Sequence, residues 1–560
     1  MKKNKRLLIV GGVAGGASCA ARARRLSEAM DIIVFERSEF VSFANCGLPY
    51  YVGRVIKVED ELLVATPELF RDRFNIEVRT ETFVRRVFPA LREVEAEDLK
   101  TGRRYRESYD ALVLAPGSTP LKPTIPGIDL PGVHTLWTIP DSRRIMSWIR
   151  DAAVSRAVVV GGGFIGLEMA ENLKHLDMDV RIVEMQPQVM PAVDPEIASF
   201  IHDHLMSRGI TLHLESAVTA FEKNSTDAIV VKLNTDIALE TDMVIFAAGV
   251  RPRTELAVDA GLTIGEFGGI LVDERMQTCD RHIWAVGDAA EVRNVITGRS
   301  CMVPLAGPAN RQGRIAADSI VGQVPPAHVF RGVQATAVCG ILGLTVATTG
   351  LNEKSLSGFG ESIGPYEKVY LHPDHHAGYY PDAKTLTLKL IFNTKTGRVL
   401  GAQAVGEAGV EKRIDVISMA IQRKATVFDL EEAELCYAPQ YGSAKDPVNL
   451  AGMIAANIMR GHARIDHWEN LTDPGTFILD VRDIEEYRQG HLENAVNIPL
   501  EDLRECLEEL PRDREIWVHC YVGQRSYFAA RILRQHGFKV KNISGGYLMY
   551  DPVKRYKSNY

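Results

Sequence analysis

The sequence lacks any apolar run that approaches the roughly 20 residues a helix needs to cross a bilayer. It also lacks an excess of basic residues, since 65 Lys and Arg stand against 72 Asp and Glu, a formal net charge of −7. We therefore expect neither a membrane nor a nucleic acid as a partner. Hydrophobic residues make up 46% and charged residues 24% of the 560 positions, a composition typical of a globular protein with several domains.

Cysteine is scarce and no Cys-x-x-Cys pair occurs, so we expect no zinc or other metal site. Behind the basic N-terminus, the apolar residues 7–10 are too few for the core of a signal peptide and fit a buried strand better. We therefore expect a cytoplasmic protein whose thiols stay reduced and form disulfides only transiently during catalysis. The eight cysteines are Cys19, Cys46, Cys279, Cys301, Cys339, Cys436, Cys506 and Cys520.

Residues 157–184 carry a complete dinucleotide-binding pattern of strand, glycine turn, helix and a second strand that ends in Glu184. The glycines of the G-x-G-x-x-G turn permit a tight bend, close approach to a pyrophosphate and close packing of helix on strand. Glu184 is placed to accept a hydrogen bond from a ribose 2′-hydroxyl and would repel a 2′-phosphate, which favours NADH over NADPH. The residues expected to bind NAD(P)H are Gly161, Gly163, Phe164, Ile165, Gly166, Glu184 and Gly249.

A similar but less regular unit opens the chain. The pattern predicts strands over residues 6–10 and 31–35, with a small-residue helix over residues 17–27 between them. Glu36 follows the second strand, but Val13 replaces the middle glycine of the turn, so this motif is weaker. Two such units in one chain predict two dinucleotide sites.

A distant segment indicates the ligand of the first unit. Residues 278–288 have a threonine followed by an apolar strand that ends in Gly-Asp, which resembles the second flavin fingerprint of two-dinucleotide-domain flavoproteins. The resemblance implies FAD, with Asp288 on the ribityl chain. Residues 112–117 and 245–249 resemble the chain crossings between the two nucleotide domains. The residues expected to bind FAD are Gly11, Gly12, Val13, Ala14, Gly15, Glu36, Arg37, Ser42, Asn45, Ala115, Gly117, Gly287, Asp288, Leu305 and Ala306.

Cys46 follows the first nucleotide unit, at the position where the helix with the redox thiols faces the flavin in the disulfide-reductase flavoproteins that this region resembles. Two-cysteine members have Cys-x4-Cys there, but the position five after Cys46 is Tyr51. Thiol–disulfide exchange needs a second sulfur, which must come from an outside thiol or another site. Three fates stay open for Cys46: a mixed disulfide with a small thiol, a sulfenic acid during peroxide or oxygen reduction, or an inert thiol.

The motif Ser-Phe-x-x-Cys-Gly-Leu-Pro-Tyr around Cys46 resembles the coenzyme A-disulfide reductases. The resemblance extends to the Gly-Gly-Val-Ala-Gly-Gly opening and to residues 375–380 and 437–447, and covers residues 1 to about 455. It implies that coenzyme A supplies the second sulfur and that the third domain forms a homodimer.

The same resemblance assigns further side chains to the site. It implies that Arg22 and Arg25, on the first helix, hold the phosphates of coenzyme A. It also implies that tyrosines from the partner subunit approach the redox cysteine, for which Tyr379 and Tyr437 are the candidates.

The C-terminal residues 478–499 and 516–526 together resemble a single rhodanese domain. A predicted strand delivers Cys520 into a short loop that leads into a helix. Backbone N–H groups of that loop and the helix dipole can stabilise a thiolate or a persulfide, and Arg525 adds positive charge. We expect Cys520 to carry sulfane sulfur.

These features predict an α/β protein with two Rossmann-like FAD/NAD(P)-binding domains, an α+β dimerisation domain and a C-terminal rhodanese α/β domain. The expected boundaries are 1–112 with 250–325 for FAD, 113–249 for NAD(P)H, 326–455 for dimerisation, 456–475 for a linker and 476–560 for the rhodanese domain.

The predicted activity is reduction of sulfur–sulfur bonds by NAD(P)H through a mixed disulfide of Cys46 with coenzyme A. Small sulfur compounds such as coenzyme A persulfide, polysulfide or coenzyme A disulfide are the expected substrates, with Cys520 relaying sulfane sulfur. Two alternatives remain: an NADH oxidase or peroxidase that uses a Cys46 sulfenic acid, and a rhodanese-based sulfur carrier or redox sensor.

Overall fold

The computed structural model describes residues 5–322, 328–359, 362–473 and 476–552. The chain forms two compact units, one from residues 1–187 and 210–335 and the other from residues 188–209 and 336–560. Residues 188–209 thus group with the second unit, although they lie inside the range predicted to bind NAD(P)H. The predicted boundaries at 325 and 475 and the ends at 1 and 560 lie outside the described residues, and the domain boundaries stay predictions.

Two five-stranded parallel sheets form the cores of the first unit. Their central strands are apolar almost throughout and buried, as expected where helices cover both faces of a parallel sheet. The first nucleotide sheet has the order Ile283–Ala285, Ala111–Leu114, Arg6–Val10, Asp31–Phe35, Glu77–Arg79. The second nucleotide sheet has the order Thr211–His213, Asp179–Val183, Arg156–Val160, Met243–Phe246, Val133–His134.

The first helix begins earlier than the sequence pattern predicts. It spans Ala14–Leu26, and not residues 17–27, so two glycines lie inside its first turn. A Cβ atom on Gly16 would stand 1.9 Å from the carbonyl oxygen of Gly11. Only a residue without a side chain lets the helix pack this closely on the turn, so glycine here marks close packing rather than a helix end.

The other elements of the first unit surround these two sheets. The antiparallel strands are Thr82–Phe88, Glu93–Asp98, Arg104–Ser108, Val218–Lys223, Ile229–Leu233, Ala238–Thr241, Ser118–Pro120, Val250–Pro252, Ala290–Arg293 and Ser300–Cys301, and Ile270–Leu271 pairs parallel with one of them. The helices after the first are Leu48–Val52, Pro67–Phe74, Ile139–Asp151, Phe164–Lys174, Glu255–Asp259 and Ala306–Val321. Short 3₁₀ turns are Asn45–Gly47, Glu59–Leu62 and Gly287–Ala289.

The second unit contains an antiparallel sheet and a separate parallel sheet. Leu386–Asn393 and Val399–Gly406 form a hairpin, in which the two strands pair antiparallel. The antiparallel sheet has the order Ala337–Ile341, Leu344–Gly350, Val399–Gly406, Leu386–Asn393, Tyr366–Leu371. Its helices are Pro195–Ser207, Glu353–Phe359, Val410–Gln422, Val427–Glu431 and Pro447–Met459.

The C-terminal sheet has five parallel strands, in the order Ile465–Asp466, Val540–Ile543, Ile516–His519, Phe477–Asp480, Val496–Asn497. Its helices are Ile484–Gln489 and Gln524–Gln535, with 3₁₀ turns at Trp468–Asn470, Leu507–Glu509 and Tyr547–Met549. Together with the two nucleotide sheets, this arrangement confirms the predicted α/β class. The described part of the chain contains no helix with the length and hydropathy of a membrane span.

A buried lysine holds three carboxylates together in the second unit. The side chain of Lys389 is 0% exposed, and its Nζ lies 2.7 Å from Asp194 Oδ2 and 2.5 Å from Glu353 Oε2. The same ammonium group bonds to Glu196, which also accepts a hydrogen bond from the Tyr370 hydroxyl at 2.7 Å. Burial alone would lower the pKa of Lys389, but the three carboxylates outweigh it and raise that pKa above its ordinary value.

We expect Lys389→Met to destabilise the second unit by about 3–5 kcal/mol, because Asp194 and Glu196 would stay buried without the ammonium group that bonds to both. Lys384→Met is the matched control, since Lys384 pairs with Glu407 on the exposed surface, where the loss should be under about 1 kcal/mol. Urea unfolding of both variants measures the difference. Equal free energies of unfolding for the two variants would show that the buried cluster contributes no more than a surface pair.

Candidate active sites

The glycine turn of the first unit is locked by its own backbone. Gly11 has φ +97°, and a Cβ atom there would stand 2.0 Å from the carbonyl oxygen of Ala115. The N–H of Gly12 donates to Glu36 Oε2 at 2.9 Å, and the carbonyl of Gly12 accepts from the N–H of Ser42 at 2.8 Å. These two hydrogen bonds therefore hold the turn against Glu36, which follows the second strand, and against the segment that leads to Cys46.

The second turn repeats this design. The N–H of Gly162 donates to Glu184 Oε2 at 2.7 Å, as that of Gly12 does to Glu36. A Cβ atom on Gly163 would meet nothing within 4 Å, so the space over this turn is open. Phe164, Ile165 and Gly166 form the first turn of the helix Phe164–Lys174, whose free N–H groups face that space. Gly249 follows the strand Met243–Phe246, which neighbours Arg156–Val160.

The two flavin fingerprints meet at one edge of the first nucleotide sheet. Because its strands run parallel, residues that follow Val10, Leu114 and Ala285 lie together at their carboxyl ends. Asp288 Oδ2 accepts a hydrogen bond from the Ser118 hydroxyl at 2.7 Å, and burial raises the pKa of Asp288. A half-buried carboxylate at such an edge, beside the N-terminus of a helix, fits the FAD that the sequence motifs imply.

The remaining residues expected at the FAD site lie at the starts of two helices, after two strands and at two further positions. Val13, Ala14 and Gly15 open the first helix, while Leu305 and Ala306 open the helix Ala306–Val321 that packs against it. Ala115 and Gly117 follow the strand Ala111–Leu114, and Gly287 donates its N–H to Gln312 Oε1 at 2.7 Å. Arg37 lies over the ring of Phe83, and Asn45 donates to the carbonyl of Trp137 at 3.4 Å.

Cys46 is an exposed free thiol in the 3₁₀ turn Asn45–Gly47, directly before the helix Leu48–Val52. Partial burial of the thiol raises its pKa, and the negative charges of Glu168 and Asp288 raise it further. Glu168 belongs to the helix of the second nucleotide turn, and Asp288 belongs to the flavin fingerprint. The pKa of Cys46 therefore depends on charges from both nucleotide units. Burial also raises the pKa of Glu168, to about 7, with the charge of Glu171 adding to the effect.

The coenzyme A candidates have unequal surroundings. Arg22 and Arg25 share the first helix, and Arg25 is exposed. Arg22 Nε lies 2.7 Å from Oδ1 of the buried Asp318, a partner that no sequence motif predicts. In the second unit, the hydroxyl groups of Tyr379 and Tyr437 lie 2.7 Å apart, with 76% and 49% of the two residues exposed. The structure thus brings the two tyrosines together, and their role stays a prediction.

Cys520 lies at the end of the strand Ile516–His519, buried at the start of a helix. Its Sγ accepts a hydrogen bond from the N–H of Gly523 at 3.1 Å and a longer one from the hydroxyl of Ser526 at 3.5 Å. Gly523 has φ +94° and begins the helix Gln524–Gln535, so the positive end of the helix dipole faces the sulfur. The sequence motif predicts the loop, but not the hydroxyl donor.

The charges around Cys520 differ from the expectation. Arg525 is not a free cation, because its guanidinium makes a two-pronged ion pair with Glu486, at 2.6 and 2.8 Å. Below the loop, Asp480 and Arg482 form a second, buried ion pair at 2.7 Å. His519 lies 3.6 Å from Asp480, and its burial lowers the pKa of the imidazole to about 4, so the ring is neutral at pH 7.

Family models cover most of the chain. The model for pyridine nucleotide-disulphide oxidoreductases matches residues 5–313, and the model for the dimerisation domain of the same enzymes matches residues 336–446. A model for rhodanese-like domains matches residues 465–550.

Relatives with established names agree with these matches. An NADH oxidase of Methanocaldococcus jannaschii is 37% identical, covering 80% of this chain and 97% of its own length. A coenzyme A disulfide reductase of Staphylococcus haemolyticus is 31% identical, covering 81% of this chain and 100% of its own length. In both cases the aligned region excludes about a fifth of this chain.

Two solved structures extend over nearly the whole chain. Reduced Bacillus anthracis CoADR-RHD superposes with a TM-score of 0.96 at 45% identity, over 99% of each chain. A NAD-dependent persulfide reductase from A. fulgidus superposes with a TM-score of 0.89 at 38% identity, over 97% of this chain and 100% of that one. With two dinucleotide turns, a flavin edge and an exposed thiol in place, the chain belongs to the pyridine nucleotide-disulphide oxidoreductases, as a flavin-dependent reductase that carries a rhodanese-like domain.

Proposed function

We propose that this protein uses NADH or NADPH to reduce sulfur–sulfur bonds through a mixed disulfide between Cys46 and coenzyme A. One observation carries the proposal: Cys46 is an exposed thiol influenced by both nucleotide units, and Tyr51 stands where a resolving cysteine would be. The second sulfur of the exchange therefore comes from outside this segment, and a small thiol is the source that we propose. The names of the S. haemolyticus and A. fulgidus relatives support coenzyme A and persulfide chemistry.

The chain's own residues would hold two nucleotides. The turn at Gly11–Gly12, the acid Glu36 and the half-buried Asp288 fit FAD, which when bound supplies two-electron transfer between the nicotinamide and sulfur. Glu184 would accept a hydrogen bond from the nicotinamide cofactor's ribose, and its negative charge favours NADH over NADPH.

The sulfur step starts from the Cys46 thiolate. It attacks the inner sulfur of a coenzyme A persulfide, so that the sulfur–sulfur bond of the persulfide breaks, hydrosulfide leaves and Cys46–S–S–CoA forms. With coenzyme A disulfide, the leaving group is the coenzyme A thiolate. Two electrons and protons then return Cys46 and coenzyme A as thiols. Arg22 and Arg25 would bind the phosphates of coenzyme A, and Tyr379 and Tyr437 of the partner subunit would approach Cys46.

We also propose that Cys520 carries sulfane sulfur as a persulfide, stabilised by the N–H of Gly523 and the hydroxyl of Ser526. Reduction of a simple disulfide needs no sulfur carrier, so the rhodanese-like domain favours persulfide or polysulfide as the substrate. The family match of residues 336–446 supports a homodimer, and the eight free cysteines are consistent with a cytoplasmic location.

A second candidate is an NADH oxidase or peroxidase in which Cys46 becomes a sulfenic acid. The M. jannaschii relative, named as an NADH oxidase at 37% identity, favours it. The two candidates differ in the group that Cys46 carries when oxidised: coenzyme A in one, a single oxygen atom in the other.

We expect Cys46→Ser to abolish NADH-dependent reduction of coenzyme A disulfide and polysulfide while leaving FAD bound, because the hydroxyl cannot form a disulfide. Cys279→Ser, which removes another exposed thiol of the same unit, is the control and should keep full activity. Turnover is followed by NADH absorbance and FAD content by the flavin spectrum. Intact-mass analysis of unreduced wild-type protein should show coenzyme A on Cys46. A single added oxygen, trapped by dimedone, would favour the oxidase instead.

We expect Cys520→Ser to keep NADH-dependent reduction of coenzyme A disulfide but to lose formation of a persulfide on the rhodanese-like domain. The buried thiol is the only atom at the centre of the Gly523 and Ser526 donors that can accept sulfur. Tandem mass spectrometry after exposure to a persulfide donor locates the added sulfur. Unchanged loading of that domain in Cys520→Ser would contradict the assignment.

The pH dependence of Cys46 follows from the charges that face it. Burial, Glu168 and Asp288 raise the pKa of Cys46, so at neutral pH most of the thiol is protonated and its reactivity grows as the pH rises. Glu168→Gln removes one of these negative charges, so the profile of iodoacetamide alkylation against pH should move to lower pH. Glu61→Gln, an exposed carboxylate of the same unit, is the control and should leave the profile in place. Equal profiles for both variants would contradict this account.

A further inference from the structure

The only cation that the Cys520 loop itself contributes is fully engaged by acids. Arg525 Nη1 and Nη2 lie 2.6 and 2.8 Å from the two carboxylate oxygens of Glu486, and Asp483 Oδ2 lies 3.5 Å from Nη1. The charge of Arg525 also interacts with that of the Cys520 sulfur. Two carboxylates thus lie beside Arg525, the guanidinium of this loop that could otherwise bind an anionic substrate.

Glu486 is fixed in this position. It belongs to the helix Ile484–Gln489, and its Oε2 also accepts the N–H of Asp483 at 3.1 Å in a capping box. The hydrogen bonds from Arg525 hold the pKa of Glu486 below its ordinary value, so the carboxylate stays charged over the neutral range. Arg525 therefore keeps a charged partner over the neutral pH range.

The deeper groups add no positive charge. Asp480 and Arg482 cancel each other in a buried ion pair, and the buried His519 is neutral at pH 7. With Arg525 opposed by Glu486 and Asp483, these described residues leave the pocket with a net negative charge before the Cys520 thiolate is counted. At the surface, Tyr521, the residue after Cys520, is 43% exposed, which suits an organic group better than an oxyanion.

We propose that Cys520 takes its sulfane sulfur from the persulfide of a thiol and not from an oxyanion donor such as thiosulfate, and that Glu486 determines this choice. The inference rests on the proposed role of Cys520 as a sulfur carrier and names the class of donor for it. In the step, the Cys520 thiolate attacks the outer sulfur of R–S–SH. The S–S bond of the persulfide breaks, R–S⁻ leaves and takes up the proton, and Cys520–S–S⁻ forms.

The two classes of sulfur donor differ in the charge of the group that leaves. A thiol persulfide expels a thiol, which takes the proton of the persulfide, so that the departing sulfur carries no charge. Thiosulfate enters as a dianion and expels sulfite, another dianion, next to Glu486 and Asp483. The N–H of Gly523 and the hydroxyl of Ser526 stabilise the Cys520 persulfide equally in both cases, so the carboxylates decide between the donors.

The test compares two donors on the full-length, FAD-loaded enzyme, with cyanide as the common sulfur acceptor. Glu486→Gln keeps the shape of the side chain and one acceptor oxygen but removes its negative charge, which frees the charge of Arg525. We expect kcat/KM with thiosulfate to rise about tenfold, and kcat/KM with glutathione persulfide to change less than about twofold. Glu485→Gln, which removes an exposed charge at the neighbouring position, is the control and should change neither.

Two further measurements make the result decisive. The double variant Glu486→Gln, Arg525→Gln should lose the gain with thiosulfate, which separates release of the cation from a general loosening of the loop. NADH-dependent reduction of coenzyme A disulfide reports that each variant is folded. Wild-type turnover of thiosulfate as fast as glutathione persulfide, or no gain in Glu486→Gln, would overturn the inference while leaving the sulfur-carrier role intact. Absence of a Cys520 persulfide with either donor would overturn both.

Discussion

The backbone of Gly12 is the point on which the reductase site depends. Its N–H is bound by Glu36 and its carbonyl by the N–H of Ser42, four residues before Cys46. The neighbouring Gly11 has φ +97°, and a Cβ atom there would stand 2.0 Å from the carbonyl oxygen of Ala115. One turn therefore connects Glu36, the start of the first helix and the segment that leads to Cys46 through backbone hydrogen bonds.

Local patterns predict most of the elements, but few of the charge partners. Apolar runs indicate the bounds of three strands: Arg6–Val10, Asp31–Phe35 and Asp179–Val183. They do so because the residues of a buried strand are adjacent in the sequence. Ion pairs do not follow from local patterns, because the two partners are far apart in the sequence. Arg22 pairs with Asp318, 296 positions away, and Lys389 pairs with Asp194, 195 positions away. Such partners become neighbours only when the chain folds, so Arg22 and Arg525 look like free cations in the sequence when both are paired.

The two sulfur sites solve opposite physical problems. Cys46 is exposed, and the negative charges of Glu168 and Asp288 disfavour its thiolate. Cys520 is buried, and an N–H and a hydroxyl group donate hydrogen bonds to its sulfur. An open thiol suits a mixed disulfide with a large thiol, and a sulfur held by hydrogen-bond donors suits a persulfide anion. The fusion joins these complementary properties in one chain.

The rhodanese-like domain is not an independent appendage, because the loop that holds Cys520 is built against the antiparallel sheet. The N–H groups of Tyr547 and Leu548 bind the carbonyls of Cys520 and Tyr521, at 2.8 and 2.9 Å. Just before them, Ser544 accepts the N–H of Tyr370 at 3.0 Å, and Gly545 accepts a hydrogen bond from His372 at 3.1 Å. Tyr370 also reaches the Lys389 cluster through Glu196. Since the sheet, the buried charges and the sulfur loop share these contacts, a change in one alters the support of the others.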